Sequence, residues 1–141
     1  MQTFLPYPSF SKSFACLDNS RLGNQVYREG KTLLNRKWKH HRIAKMWKGY
    51  YYSLARYCLF GVHEMYTRNT WSYETCNKWH VYFLTKMYDL ESAKECMDDP
   101  PWLGDEKLHA SHRSNLLRKN PKHYGKFGWK EQDNMPYHWI N

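Results

Sequence analysis

The sequence predicts an all-α protein: a compact single-domain helical bundle spanning residues 1–141 and ending in an irregular, aromatic C-terminal tail. Three observations carry this expectation. Apolar residues recur at steps of three and four along four stretches. No strand pattern of any length appears. No internal repeat and no linker divides the chain. With 141 residues, 41% of them hydrophobic and 18% aromatic, the chain is long enough to bury a core and too apolar for disorder.

Pro6 and Pro8 keep the first residues extended, so the first helix is expected to begin near Ser11 or Ser13 and to run toward Leu34. On that helix Leu22, Val26, Glu29 and Leu33 share one face, and Glu29 stands where a leucine belongs. A carboxylate taken out of water is costly unless paired, so it serves either a structural partner or chemistry. A second, long amphipathic helix follows from Ile43, Trp47, Tyr50, Leu54, Tyr57, Gly61 and Met65. A third stripe, Cys76, Trp79, Phe83 and Met87, leads into the acidic stretch "DLESAKECMDDPP", where Pro100 and Pro101 end any preceding helix. The fourth helix is expected in "GDEKLHASHRSNLLRKNP", with Asp105 as its cap and Pro121 just beyond its end.

The four cysteines form no C-x-x-C pair, which argues against a zinc ribbon and fits reduced, mostly buried thiols. The opening "MQTFLPYPSF" lacks the basic region and long apolar core of a signal peptide, and no apolar run approaches the roughly 20 residues of a membrane span. The expected setting is cytoplasmic.

A formal net charge of +9 points to a polyanionic partner, and 12 Tyr and 7 Trp offer flat surfaces for bases. The bases concentrate in two segments. Arg28, Lys31, Arg36, Lys37, Lys39, Arg42, Lys45 and Lys48 face one acid, Glu29, and Lys107, Arg113, Arg118, Lys119, Lys122 and Lys126 face none. They form either two walls of one phosphate-binding groove or two solvated helix faces. His40, His41, His109 and His112 show no complete metal-ligand spacing and are read as phosphate or carboxylate partners, with no metal. His112 and Asn115 fall on or beside the buried side of the fourth helix, which implies a polar pocket or a structural hydrogen-bond network. A basic groove, flat aromatics and a desolvated carboxylate fit an enzyme acting on a nucleotide that has left the base stack.

The pieces "MQTFLPYP", "LDNSRLGNQVYREG", "HHRIAKMWKGY", "PPWLGDEKLHASHRSNLLRK" and "HYGKFGW" resemble a phage and bacterial family related to the pyrimidine-dimer DNA glycosylases, the endonuclease V of ultraviolet repair. Tyr27, Arg28 and Glu29 resemble the Tyr-Arg-Glu of those enzymes. The resemblance implies a metal-independent, cofactor-free DNA glycosylase with abasic-site lyase activity, working as a monomer in a phage-infected or bacterial cell. Its partner is double-stranded DNA containing a damaged or modified pyrimidine.

The resemblance makes Glu29 the catalytic carboxylate and a terminal α-amine the nucleophile that forms an imine with the sugar. An α-amine ordinarily titrates at roughly 7.7 to 8.0, which leaves a reactive fraction at neutral pH. Met1-Gln2 stands where the characterised enzymes expose a threonine, so the expected amine is that of Met1. Arg21, Gln25, Arg28, Lys31, His40, His41, Lys45, Trp47, His109, His112, Arg113, Asn115, Arg118 and Lys119 are the expected DNA-binding residues, with Trp47 or Trp102 packed at the lesion. The alternative is a DNA-binding module without chemistry, in which Glu29 pairs with a nearby arginine.

Overall fold

A computed structural model describes residues 1–140, and among them there are helices and loops but no strand. Residues 2–6 are buried and belong to no helix, an arrangement with no sheet to pair their backbone. Helix α1 spans Phe10–Cys16, capped by the Ser9 hydroxyl accepting from the Lys12 N–H. It stops at Leu17, and Asp18 caps the next helix through the Arg21 N–H. The single helix expected from Ser11 or Ser13 to Leu34 is therefore two pieces meeting at a corner, because Asp18 offers its carboxylate to a new helix start.

The second piece is one rod of three conformations: α2 Asn19–Asn24, a π-helical segment Gln25–Gly30 and α3 Lys31–Leu34. The second expected helix is also divided, into α4 Arg42–Trp47 and α5 Tyr51–Arg68. Gly49 sits between them at φ +86°, a conformation that ends a helix and that glycine adopts without steric cost. Helix α6, Tyr73–Ser92, buries the expected Cys76, Trp79 and Phe83, and it ends well before Pro100. Helix α7, Glu106–Lys119, starts at the Asp105 cap as expected. A short α8, Pro121–Tyr124, leads to the irregular tail.

Helix α5 is the central element. It pairs with α6 along its length and packs against α1 and the rod. Two glycines set how closely the rod approaches it: a Cβ on Gly30 would lie 2.2 Å from Cys58 Sγ, and one on Gly61 would lie 2.6 Å from Val26 Cγ2. Arg68, at the end of α5, donates to the carbonyls of Phe14 and Ala15 and so satisfies the open end of α1. Trp47, Tyr57, Phe14 and Phe83 are the large core side chains. Cys16, Cys58 and Cys76 are buried free thiols, while Cys96 is exposed. No helix of the described residues is long and apolar enough to cross a membrane.

Candidate active site

The buried segment 2–6 explains the polar residues of the core. A non-helical backbone taken out of water must find hydrogen-bond partners, and here side chains supply them. Gln25 Oε1 accepts from the Phe4 N–H at 2.7 Å and from the Tyr57 hydroxyl at 2.9 Å, and that hydroxyl also reaches the Phe4 carbonyl. Thr3 Oγ1 accepts from the Trp47 indole N–H at 3.0 Å. Two histidines hold Leu5 in opposite tautomers. His112 Nδ1 accepts from its N–H at 2.9 Å, and His109 Nδ1 donates to its carbonyl at 2.7 Å while His109 Nε2 accepts from the Gly104 N–H. Arg113 donates to the Pro6 carbonyl at 2.7 Å.

Burial tunes these groups for that task. His112 is pushed down to about 3 by burial and by neighbouring His109, so it stays neutral and keeps its acceptor lone pair. Burial also lowers His109. Burial alone would lower Arg113, but the Glu131 and Glu106 carboxylates bonded to it raise it overall.

The other side of α7 holds the tail. Asn115 donates to the Ser111 and Met135 carbonyls, Ser114 Oγ accepts from the Met135 N–H, and Ser111 Oγ accepts from the His138 N–H. Arg118 bonds Asn115 and, more weakly, the Asp133 carbonyl. The sequence reading puts His109, His112, Arg113, Asn115 and Trp47 against DNA. The structure buries them and commits their polar groups to the terminal segment or the tail, so these groups are not free to bond a phosphate, although Trp47 also forms part of the floor of a basic cavity. Trp102 is likewise a core residue, with its indole donating to the Met46 carbonyl and packed edge-on against Trp47.

Where the terminal segment begins, a cavity of about 260 Å³ opens. Met1, Gln2 and Phe4 form one wall, and Arg21, Gln25, Arg28 and Glu29 of the rod form another. Lys119 from the end of α7 and Tyr137 from the tail close it. Glu29 is 7% exposed, and Arg28 Nη2 donates to its Oε1 at 3.1 Å. That arginine is two-thirds exposed, so the pair is a single bond to a largely solvated cation.

The π-helical turn contributes to this geometry. It carries Gln25, Val26, Glu29 and Gly30 on its buried side, two of them on the cavity wall. His41 is nearby. Burial and the positive terminal amine lower its pKa, and the Glu29 carboxylate opposes them only in part. Lys119 is lowered by burial and by the neighbouring Arg21 and Arg118 charges.

Other expected residues lie elsewhere. His40 and Lys45 line a larger basic cavity of about 590 Å³ with Arg36, Lys37, Lys39 and Lys48. Lys31 is drawn onto the Trp79 ring of α6. Arg21 lines the smaller cavity while bonded to Asp18 at 2.8 Å. Sequence reasoning missed Tyr57 and Tyr137, which carry no local signal for their roles. Among the described residues, no three His, Cys, Asp or Glu side chains gather closely enough to hold a metal ion.

An all-α fold with Arg21, Arg28 and Lys119, cations from two distant segments, around one cavity has the footprint of a nucleic-acid-binding protein. Residues 1–81, more than half of the chain, match the family model described as pyrimidine dimer DNA glycosylase, and the chain belongs to that family. It is by family a DNA glycosylase, and DNA with pyrimidine dimers is the family's substrate. No curated protein and no solved structure matches the chain. The matched residues supply Met1, Arg21, Gln25, Arg28 and Glu29, whereas Lys119 and Tyr137 come from beyond them.

Proposed function

We propose that the chain is a DNA glycosylase with abasic-site lyase activity, using the Met1 α-amine as nucleophile and Glu29 as its carboxylate. The observation that supports this most is the sharing of one cavity by Met1 and Glu29, with Arg21, Arg28 and Lys119 beside them. The amine attacks the sugar C1′, a C–N bond forms, and the bond to the base breaks with its electron pair leaving on the base. Loss of the amine proton and opening of the sugar ring give the imine. Removal of a C2′ proton then expels the 3′ phosphate. A carboxylate held among cations at C1′ stabilises the positively charged sugar and carries protons during elimination.

Arg21, Arg28, His40, His41, Lys45, Arg118 and Lys119 supply the phosphate contacts in this reading. The enzyme works as a monomer, inside the cell and without metal. The competing reading, a DNA-binding module in which Glu29 is structural, draws on the Arg28 bond. That bond is weak support, because a lone contact to a solvated arginine contributes little.

Borohydride trapping on duplex DNA carrying a pyrimidine dimer tests the proposal. The expected result is a covalent adduct that peptide mapping places on Met1. In Glu29→Gln, turnover should fall by orders of magnitude while DNA affinity holds or rises. Tight binding without any adduct would overturn the lyase assignment, and an adduct on an internal lysine would overturn the nucleophile.

A further inference from the structure

The loop joining α3 to α4, residues 35–41, presents the indole of Trp38 to solvent at 63% exposure. One exposed apolar side chain alone explains nothing. Three features single this one out.

The loop is fixed. Helix α3 ends with the Arg36 N–H donating to the Leu33 carbonyl at 3.0 Å and the Lys37 N–H donating to the Thr32 carbonyl at 3.2 Å. This termination places its next residue in the left-handed region, where glycine is usual. Here Arg36 holds φ +56°, its guanidinium stacked 4.7 Å over Tyr51 and paired with Glu95 at 3.6 Å. The His41 N–H then donates to the Trp38 carbonyl at 2.8 Å.

Trp38 itself is also left-handed, at φ +61°. A bulky residue persists there only when its surroundings over-determine it.

Its neighbours are cationic. Lys37, Lys39 and His40 are exposed beside it, and His41, three residues on, lies near the Met1 amine and Glu29. Three residues of chain span at most roughly 11 Å, so the Trp38 backbone lies within that reach of His41.

We propose that Trp38 stacks on a base left without its neighbour or partner in lesion-bearing duplex DNA, with the flanking lysines holding the adjoining phosphates. The proposal rests on the DNA-glycosylase reading and deepens it. A base still paired and stacked presents no π-face, whereas one opposite an abasic gap does. The rigid loop delivers the indole without an ordering cost at the moment of binding.

The test compares affinities for two duplexes, one intact and one carrying a tetrahydrofuran abasic analogue. Trp38→Ala should lose about tenfold on the abasic duplex and less than about twofold on the intact one. Trp38→Phe should stay within about threefold of wild type on both, since a phenyl ring also stacks. Trp38→Lys gives a second handle, because it should raise intact-duplex affinity while abolishing the preference for the abasic one. Equal losses on both duplexes, or none on either, would overturn the stacking role alone. Wild-type protein that binds neither duplex would overturn the DNA reading together with this proposal.

Discussion

His112 shows how a single side chain ties stability to pH. Its Nδ1 accepts from the Leu5 N–H at 2.9 Å, and a protonated ring has no lone pair there to offer. In the unfolded chain this histidine titrates at its ordinary 6.5, while in the fold it is held down to about 3. Between those values the unfolded chain binds a proton that the folded chain does not, so stability is complete above 6.5 and is lost as pH falls. The slope is about 1.4 kcal/mol per pH unit for one such group, and His109, lowered in the same direction, adds to it. Urea denaturation from about pH 7 to about pH 4 should show the midpoint falling steadily. Asparagine keeps an acceptor oxygen and has no proton to gain, so His112→Asn should flatten part of that slope even with a lower starting stability. An unchanged slope would mean that other groups govern it.

The π-helical turn is the element that determines how the rod meets α5. Its last residue, Gly30, lies so close to α5 that an added methyl would sit 2.2 Å from Cys58 Sγ and 2.8 Å from the Gln25 carbonyl. Gly30→Ala should therefore cost about 1–3 kcal/mol, read as a lowered melting temperature. Cys58→Ala in the same chain should recover part of the loss by removing the sulfur. Gly125→Ala, where nothing lies within 4 Å, is the neutral comparison.

The sequence carries much of this architecture but not its breaks. Helical periodicity placed the buried faces correctly because α5, α6 and the rod each repeat apolar residues at helical spacing. It extended the first helix through Asp18 and the second through Gly49, since a stripe of buried residues continues across a corner whenever both pieces face the same core. The extra residue of the π-turn left no mark in the pattern: Leu22, Val26, Glu29 and Leu33 are buried in it as they would be in a regular helix.

At the scale of the molecule, the cations gather at two cavities, one lined by the segment between α3 and α5 and one shared by the rod and the end of α7. Lys45 lines the larger one and Lys119 the smaller. If both face DNA, Lys45→Ala and Lys119→Ala should each weaken duplex binding and each reduce the magnitude of the salt slope by about one. Lys31→Ala should leave the slope nearly unchanged, because that ammonium lies over Trp79 instead. A change at Lys45 alone would turn the end of α7 away from the duplex. The candidate site was legible where its residues are neighbours in sequence, as with Arg28 and Glu29. It was not legible in α7, whose polar side chains left a pocket and a structural network open because the partners of His109, His112 and Arg113, Leu5 and Pro6, stand more than a hundred residues away. Their inward direction was visible in the helical spacing, but the buried backbone they serve was not.

The hold on Leu5 also sets an order of events during synthesis. Its N–H bonds to a residue 107 positions later and its carbonyl to one 104 positions later. At about 5–20 residues per second, roughly 5 to 20 s pass between the emergence of the terminal segment and that of α7. Throughout that interval residues 2–6 have none of their α7 anchors, and their backbone polar groups are left to water. Once α7 folds, the side chains of His109, His112 and Arg113 take over those bonds and the segment is buried, so the terminal segment is among the last parts of the molecule to be fixed in place.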